Sequence, residues 1–176
     1  MTTIVQSDHK ALREKAKEVP VSEILGKKIQ KVISDMKKAL LSQDDGVAIA
    51  APQIGESLRI FVVSGRAFDI TNGDYEENKS KPVAPDVVCI NPIITKLSRD
   101  KEEMDEGCLS VRYLYGKVKR SKKASIEAYD ETGKKFKRGA SGLLAQIFQH
   151  ETDHLDGVLF IDKAKDVVNL PPKKQA

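Results

Sequence analysis

The sequence predicts an α+β fold: a mostly antiparallel β-sheet with an N-terminal helical part and a C-terminal helix packed against it. Three observations support this class. Apolar residues recur at three- and four-residue spacing between positions 22 and 42. Short β-type runs separated by turn residues fill positions 46 to 138. A second helical pattern, from 141 to 157, contains the sequence His-Glu-Thr-Asp-His.

Length and composition limit the class of protein. The 176 residues, of which 40% are hydrophobic and 32% charged, fit one globular domain spanning 1–176. No apolar run approaches the roughly 20 residues that cross a bilayer, and the N-terminus lacks a basic region followed by an apolar one. We therefore expect a cytoplasmic protein without membrane contact.

The N-terminal part predicts two helices. Ser7 or Asp8 can cap a short helix that runs to Lys17 and ends before Pro20. A longer amphipathic helix is predicted over 22–42, with one apolar face. Its apolar residues are Leu25, Ile29, Val32, Ile33, Met36 and Leu40.

The middle of the chain predicts the strands. The β-type runs cover 59–63, 87–90, 93–97, 125–129 and 134–138. Residues 130–133, with the sequence DETG, predict a hairpin between the last two strands. Residues 68–86, which contain Asn72-Gly73 and two prolines, predict a surface loop.

The C-terminal helix carries the chemistry. It is predicted to begin after Ser141 and to end at Gly157. His150 and His154, one helical turn apart, can bind the same divalent ion. Glu151 can take a proton from water held by that ion. This pattern predicts a hydrolytic metal site.

Such a catalytic site needs a third protein ligand. In proteases that extend this motif with another histidine, the corresponding position is Phe160 here, and no glutamate follows Glu151. The chain therefore lacks both of the third metal ligands that are common in proteases with this motif. The remaining candidates are His9, Cys89, Cys108 and the aspartates near the helix end.

Local sequence ranks these candidates. Cys89 lies in an apolar run typical of a buried strand, and His9 lies near the N-terminus, where a surface histidine is expected. Asp156 follows His154 by two residues, which turns it away from the histidine face. Cys108 follows a glycine outside any apolar run and ranks first, with a free structural cysteine as the alternative.

Two basic runs, 117–123 and 134–138, accompany a net charge of +4. They could contact RNA or an acidic partner. Phe136 is the one aromatic residue interleaved with them, so solvated strand faces are the favoured interpretation. We expect no sequence-specific nucleic-acid binding.

Three segments together resemble the peptide deformylases. They are 46–53 (GVAIAAPQ), 106–110 (EGCLS) and 149–157 (QHETDHLDG). Leu12-Arg13 and 90–92 also match family positions, so the resemblance spans nearly the whole chain.

The resemblance implies removal of the N-formyl group from the initiator methionine of nascent proteins, with release of formate. Cys108, His150 and His154 would hold one divalent metal ion, and Glu151 would be the general base that activates the metal-bound water. The family implies Fe²⁺, with Zn²⁺ and Ni²⁺ as alternatives, whereas the ligand types alone suggest zinc.

The resemblance also implies the substrate contacts. The side-chain amide of Gln53 and the backbone N–H of Leu109 would stabilise charge on the formyl oxygen. An extended peptide would add along the edge at Gly46, Val47 and Ala48. The remaining substrate-binding candidates are Gly107, which permits close backbone approach, and Leu143 and Ile147, which would line the methionine pocket or simply belong to the core.

The implied partners are N-formylmethionyl nascent peptides and, transiently, the ribosome. The short, proline-containing tail 169–176 argues against docking through a long C-terminal helix. Two positions depart from the family pattern: Ala48 stands where glycine is usual, and Arg112 follows Val111 where many members have proline.

Two other functions compete with this interpretation. Ala48 and Arg112 would suit a related hydrolase that prefers other amides. A catalytically silent metal-binding or ribosome-associated protein would keep the fold, but it would need neither Glu151 nor Gln53.

Overall fold

The computed structural model describes residues 3–74, 82 and 84–171. These residues contain three α-helices, α1 Lys27–Leu41, α2 Gly65–Asn72 and α3 Gly142–Leu155. The eight strands are β1 Ala48–Ala50, β2 Ile60–Val63, β3 Val87–Leu97, β4 Lys101–Gly107, β5 Leu114–Ser121, β6 Lys123–Tyr129, β7 Lys135–Ser141 and β8 Lys165–Asn169. Short 3₁₀ turns lie at Lys10–Leu12, Val21–Glu23, Ala51–Ile54 and Phe160–Asp162.

The strands form two antiparallel sheets. The larger has the order β1-β2-β3-β6-β7, and the smaller has the order β4-β5-β8. All pairings between these strands are antiparallel. The predicted α+β class with antiparallel sheets is therefore confirmed.

Helices cover both faces of the larger sheet. Phe61 and Val63 of β2 belong to the apolar cluster that contains Phe148 of α3. Ile60 and Val62, which point the opposite way, belong to the cluster beneath α1. Alternate residues of a four-residue strand thus reach different helices, which explains its continuous apolar sequence.

The prediction of an N-terminal helix through Lys17 is wrong, because this segment forms a single 3₁₀ turn at Lys10–Leu12. His9 caps this turn by accepting a hydrogen bond from the Ala11 amide at its Nδ1. The amides of Ala16 and Lys17 then donate to the carbonyls of Leu155 and Ser57. These tertiary bonds replace the bonds of a longer helix.

The helix predicted over 22–42 begins later than expected. Gly26 is the N-cap of α1, and residues Val21–Glu23 form a separate 3₁₀ turn. Leu25 consequently lies outside the helix and is 70% exposed, not in the core as predicted. The other apolar residues of that pattern are buried.

The two runs predicted at 87–90 and 93–97 belong to one strand, β3. The register shifts between Ile90 and Ile93, where Asn91 adopts a positive φ of 50°. The Asn91 side chain bonds to both the N–H and the C=O of Val19. A bulge with its own tertiary anchor therefore explains the break in the pattern.

The loop predicted over 68–86 is wrong at its start, because residues 68–72 belong to α2. Ser64 caps this helix through its hydroxyl, and Gly73 ends it at φ 81°. Residues 75–81 and 83 of that predicted loop, and residues 172–176 of the predicted tail, lie outside the described part of the chain. The hairpin at 130–133 joins β6 and β7 as predicted.

Four strands had no predicted counterpart. β1 has three residues, which is too short to show a period. β4 is largely charged, and β8 is exposed along its length. β5 alternates exposed and buried residues, but its basic residues concealed this pattern. Both strands of the smaller sheet that flank β5 thus lack the apolar signature of a core strand.

Candidate active site

Helix α3 carries both histidines and Glu151, and the histidines lie beside the end of β4, where His150 contacts Glu106 and His154 contacts Cys108. The ring centroids of His150 and His154 lie 4.9 Å apart. Gln149 fixes the helix to β5 by bonding to the N–H and the C=O of Ser121. The helix ends at Leu155, and Gly157 follows it with a φ of 76°. A Cβ at this position would lie 2.8 Å from the Arg13 carbonyl oxygen, so the close approach requires glycine.

Cys108, the residue after the end of β4, lies next to these histidines. Its Sγ lies 3.3 Å from Nε2 of His154. One potential ligand atom from each of Cys108, His150 and His154 lies within 4.8 Å of the others. Within the described residues, this is the one such group of three or more histidine, cysteine or carboxylate side chains.

The other ligand candidates lie elsewhere. Cys89 is fully buried in the apolar cluster between the larger sheet and α3, and burial raises the pKa of its thiol. His9 caps the first 3₁₀ turn. Asp156 forms an ion pair of 2.7 Å with Arg59. None of these three joins the cluster.

A buried carboxylate orients the first histidine. Glu106 Oε2 lies 2.9 Å from Nδ1 of His150, which leaves Nε2 of that ring for an ion. Arg120 bonds to both oxygens of Glu106, at 2.7 and 3.0 Å. Burial alone would raise the pKa of Glu106, but hydrogen bonds from His150 and Arg120 outweigh it and set that pKa at about 2. Glu106 is therefore ionised throughout the neutral range.

The same arginine continues the network to the helix. Its Nη1 lies 2.7 Å from Asp153 Oδ2, and Lys163 contacts the other oxygen of Asp153 at 2.7 Å. Arg120 thus ties β5 to both β4 and α3. Because its side chain is 5% exposed, this pairing is needed to keep a buried charge compensated.

The two histidines differ in electrostatic environment. Burial lowers the pKa of His154 well below its ordinary value, which keeps the ring neutral as a metal ligand requires. Burial also acts to lower the pKa of His150, but interactions with Cys108 and Glu106 outweigh it and raise that pKa. In the described part of the chain, no hydrogen-bond partner faces Nδ1 of His154.

Glu151 lies beside the ligand cluster in a dry environment. It is 4% exposed, and no partner bonds to its Oε2 within the described residues. Burial raises the pKa of Glu151 to about 7. A carboxyl group with such a pKa can both accept and return a proton near neutral pH.

Gln53 is held with its amide nitrogen toward Cys108. Its Oε1 accepts a 2.8 Å hydrogen bond from the Ala50 amide, so Nε2 must face the opposite way. Nε2 donates to Ser110 Oγ at 3.2 Å and lies 3.5 Å from Cys108 Sγ. A fixed donor therefore points into the cleft beside the ligands.

These residues open onto a cavity of about 300 Å³. Gly46, Val47 and Ala48 line one side, where β1 is an edge strand that pairs with β2 alone among the described strands. The cavity lining also includes Gln53, Gly107, Leu109, Leu143, Ile147, His150 and Glu151. His154 lies beneath the floor, at 1% exposure.

Three of the lining residues have a second structural role. Leu143 and Ile147 line this cavity and also pack in the core of the larger sheet. At Gly107 an added Cβ would lie 2.7 Å from the Tyr115 ring, so a larger residue at this position would require that ring to move.

The basic runs are mostly compensated surface strands. Lys117 and Lys119 lie opposite Asp105 and Glu103 on β4. In the second run, Lys135 and Lys137 contact Glu127 at 3.2 and 3.4 Å. Cross-strand pairs of this kind offset part of the positive charge, and Lys135 and Lys137 share the single carboxylate of Glu127.

The prediction of solvated strand faces is wrong at Arg120, which is buried, and the sequence predicts no role for Glu106, which is buried as well. The signal for Arg120 was the two-residue period of β5. Val118 lies on the buried face, and Arg120 follows it by two residues. A basic residue in phase with a buried one predicts a buried ion pair.

The described residues contain no helix that is both long and apolar enough to cross a membrane.

Comparison with known proteins agrees with this geometry. Residues 1–169 match the family model described as polypeptide deformylase. A peptide deformylase of Fusobacterium nucleatum is 41% identical over 86% of this chain and 77% of its own. Peptide deformylase 1A of Arabidopsis thaliana, a chloroplastic and mitochondrial protein, is 41% identical over 91% of this chain, which spans only 60% of the plant protein.

A crystal structure gives the same result. The peptide deformylase of Synechococcus elongatus, solved in complex with actinonin, superposes with a TM-score of 0.77. It is 32% identical, and the match covers 94% of this chain and 79% of that one. With the family model matched over almost the entire sequence, the chain belongs to the peptide deformylase family.

Proposed function

We propose that this protein removes the N-formyl group from the initiator methionine of nascent polypeptides and releases formate. The observation that carries the proposal is the convergence of Cys108, His150 and His154 beside Glu151 and Gln53, at the floor of a cleft bordered by a sheet edge. Family membership supports the reaction, and the contacts around these residues support their individual roles.

Cys108, His150 and His154 would hold one divalent metal ion. The donor set of one thiolate and two imidazoles fits such an ion, as does the Glu106 carboxylate on the far nitrogen of His150. When bound, the ion would polarise the formyl carbonyl and make a nucleophile available from water at neutral pH. We propose Fe²⁺ as the native ion, with Zn²⁺ and Ni²⁺ able to occupy the same ligands.

Glu151 would act as the general base and then as the general acid. It accepts the proton of the attacking water, whose oxygen bonds to the formyl carbon. As the bond between carbon and the methionine nitrogen breaks, Glu151 passes that proton to the nitrogen. The products are formate and a free amino terminus. A pKa of about 7 suits both transfers.

Gln53 and Leu109 would stabilise the charge that develops on the formyl oxygen. The Nε2 of Gln53 is held beside Cys108 because Oε1 is fixed by the Ala50 amide, so the donor lies close to the ligand cluster before a substrate binds. The backbone N–H of Leu109, the residue after Cys108, would supply the second donor.

The peptide would bind as an added strand beside β1, at Gly46, Val47 and Ala48. Main-chain hydrogen bonding of this type accepts varied sequences. Leu143 and Ile147 would contact the methionine side chain, and Gly107 would allow the substrate backbone to approach.

We also propose that residues 1–176 form a single domain and that the protein acts in the cytoplasm, in transient contact with the ribosome. The match to the family model over residues 1–169 supports one domain. The compensated basic strands support recognition of peptides over sequence-specific nucleic acid.

Formate release by anaerobically purified, iron-loaded protein tests the proposal. We expect hydrolysis of N-formylmethionyl-alanyl-serine and inhibition by actinonin, which occupies the Synechococcus structure. N-acetylmethionyl-alanyl-serine serves as the control substrate. Absence of formate, or preferential release of acetate, would overturn the proposal. The metal content of protein purified anaerobically without added iron identifies the native ion.

A further inference from the structure

Two segments face each other across the mouth of the cleft. Residues 45–48 form one side and lead into β1, and residues 107–109 and 111–115 line the other side after β4. Arg112 belongs to the second side, and its guanidinium group contacts the first. This contact joins the two sides at the entrance.

The contact is a bidentate ion pair with an added hydrogen bond. Nη1 of Arg112 lies 2.7 Å from Oδ2 of Asp45, and Nη2 lies 3.3 Å from Oδ1 of the same residue. Nη2 also donates to Oε1 of Gln43 at 2.7 Å. The Arg112 side chain is 24% exposed, so water screens the pair only in part.

The segment that Arg112 contacts has no strand or helix of its own. Residues 43–47 form a turn between α1 and β1. Arg66 of α2 donates to the carbonyls of Gln43, Asp44 and Gly46. Arg66 therefore holds the backbone of the turn from beneath, while Arg112 holds its side chains from across the cleft.

The position of this turn determines where the edge of β1 begins. β1 has only three residues, and β2 is its one partner among the described strands. The Val47 carbonyl accepts a hydrogen bond from Ser64, and Gly46 donates to Gln43 within the turn. Movement of the turn would shift Gly46 and Val47, which are the first residues a bound peptide strand would meet.

We propose that Arg112 is a positioning residue for peptide substrates: acting through Asp45 and Gln43, it holds the turn so that the edge at Gly46 to Ala48 is ready to pair with the peptide. This inference rests on the proposed function. It concerns binding of residues after the methionine and leaves the reacting groups untouched. Loss of the contact should therefore raise KM and leave kcat unchanged.

Steady-state kinetics of Arg112→Ala test this role with two substrates. For N-formylmethionyl-alanyl-serine we expect KM to rise by about fivefold, the size typical for loss of a partly exposed ion pair. For N-formylmethionine amide, which lacks the following residues, KM should stay within about twofold of wild type. A fall in kcat, or an equal rise in KM for both substrates, would overturn the proposal.

Four further variants separate positioning from a general structural effect. Arg112→Lys should recover part of the loss, because lysine keeps the charge but not the bidentate geometry. Asp45→Asn should raise KM similarly, and the double variant Asp45→Asn with Arg112→Ala should add little further. Lys31→Ala, which removes the exposed ion pair with Asp35 on α1, is the control and should change neither constant. If the increases in KM were additive in the double variant, Arg112 would not act through Asp45.

Hydrogen exchange provides a readout that does not depend on activity. Arg112→Ala should speed exchange of the Gly46 amide, while amides of α3 remain as in wild type. If wild-type protein released no formate, the proposed function would fail, yet this measurement would still decide whether Arg112 orders the turn. Unchanged exchange at Gly46 would rule out that role.

Discussion

Glu106 Oε2 lies 2.9 Å from His150 Nδ1, and this contact determines which ring nitrogen of His150 is available to an ion. A carboxylate behind a ligating histidine typically changes metal affinity by roughly 10- to 100-fold. We therefore expect Glu106→Gln to weaken metal binding by that factor, as measured by competition with a chromophoric chelator. Glu103→Gln, on the exposed face of the same strand, is the matched control. Equal affinity in both variants would exclude an orienting role for Glu106.

The same carboxylate should make the stability of the metal-free protein depend on pH. The pKa of Glu106 is about 2 in the folded protein, against 4.5 as its ordinary value, because hydrogen bonds from His150 and Arg120 outweigh the effect of burial. A lowered folded-state pKa gives stability that is present above about pH 4.5 and is lost as pH falls toward 2. For a group that is 2% exposed, this contribution is roughly 3 kcal/mol.

Urea unfolding of metal-free wild type and Glu106→Gln, from pH 6 down to pH 3, measures this contribution. The difference between their free energies of unfolding should shrink as pH falls. A difference that stays constant over this range would mean that Glu106 keeps an ordinary pKa in the folded protein.

The two cysteines provide a matched pair. Cys108→Ser should abolish stable metal binding, because a hydroxyl is a poor ligand for a site of this type, and should change the unfolding of the metal-free protein little. Cys89→Ser should retain the metal but lose about 1–3 kcal/mol of unfolding free energy, because it places a hydroxyl in a fully buried apolar cluster. Metal analysis and urea unfolding of both variants check this prediction. Loss of the metal in Cys89→Ser but not in Cys108→Ser would identify Cys89 as the metal ligand.

Much of this site could be read from the sequence because its chemistry is local. His150, Glu151 and His154 lie on one helix, so their spacing alone predicts a shared face. Cys108 could be ranked above Cys89 because the apolar run around Cys89 indicates burial in a strand. The fold class followed from the apolar periodicity of α1 and α3 together with the short β-type runs between them.

The missed features depend on contacts between distant segments. Arg120 and Glu106 are 14 residues apart on neighbouring strands, and each charge is acceptable in the interior only because the other is present. The prediction of the first helix was wrong for a similar reason, because hydrogen bonds from the amides of Ala16 and Lys17 to distant residues override the local helix propensity. The two-residue period of β5 marks Arg120 as buried but does not identify Glu106 as its partner, and the tertiary bonds of Ala16 and Lys17 leave no periodic pattern in the sequence.

Two substitutions of Gln53 can separate its role as a hydrogen-bond donor from its structural role. Its Oε1 accepts the Ala50 amide, and its Nε2 faces the cleft. Gln53→Ala removes both contacts, whereas Gln53→Glu keeps an acceptor for Ala50 and removes the donor. We expect both variants to lower kcat by roughly 10²- to 10³-fold, the range observed when a donor to a developing oxyanion is removed.

Metal content and thermal unfolding distinguish the two variants from damaged proteins. Gln53→Ala should also lose stability, because the Ala50 amide is left without its buried acceptor. Gln53→Glu should melt closer to wild type while remaining equally slow. An interaction made only in the transition state changes kcat more than KM. A Gln53→Glu protein with full metal content and wild-type kcat would therefore show that Gln53 is not a catalytic donor and only shapes the turn after β1.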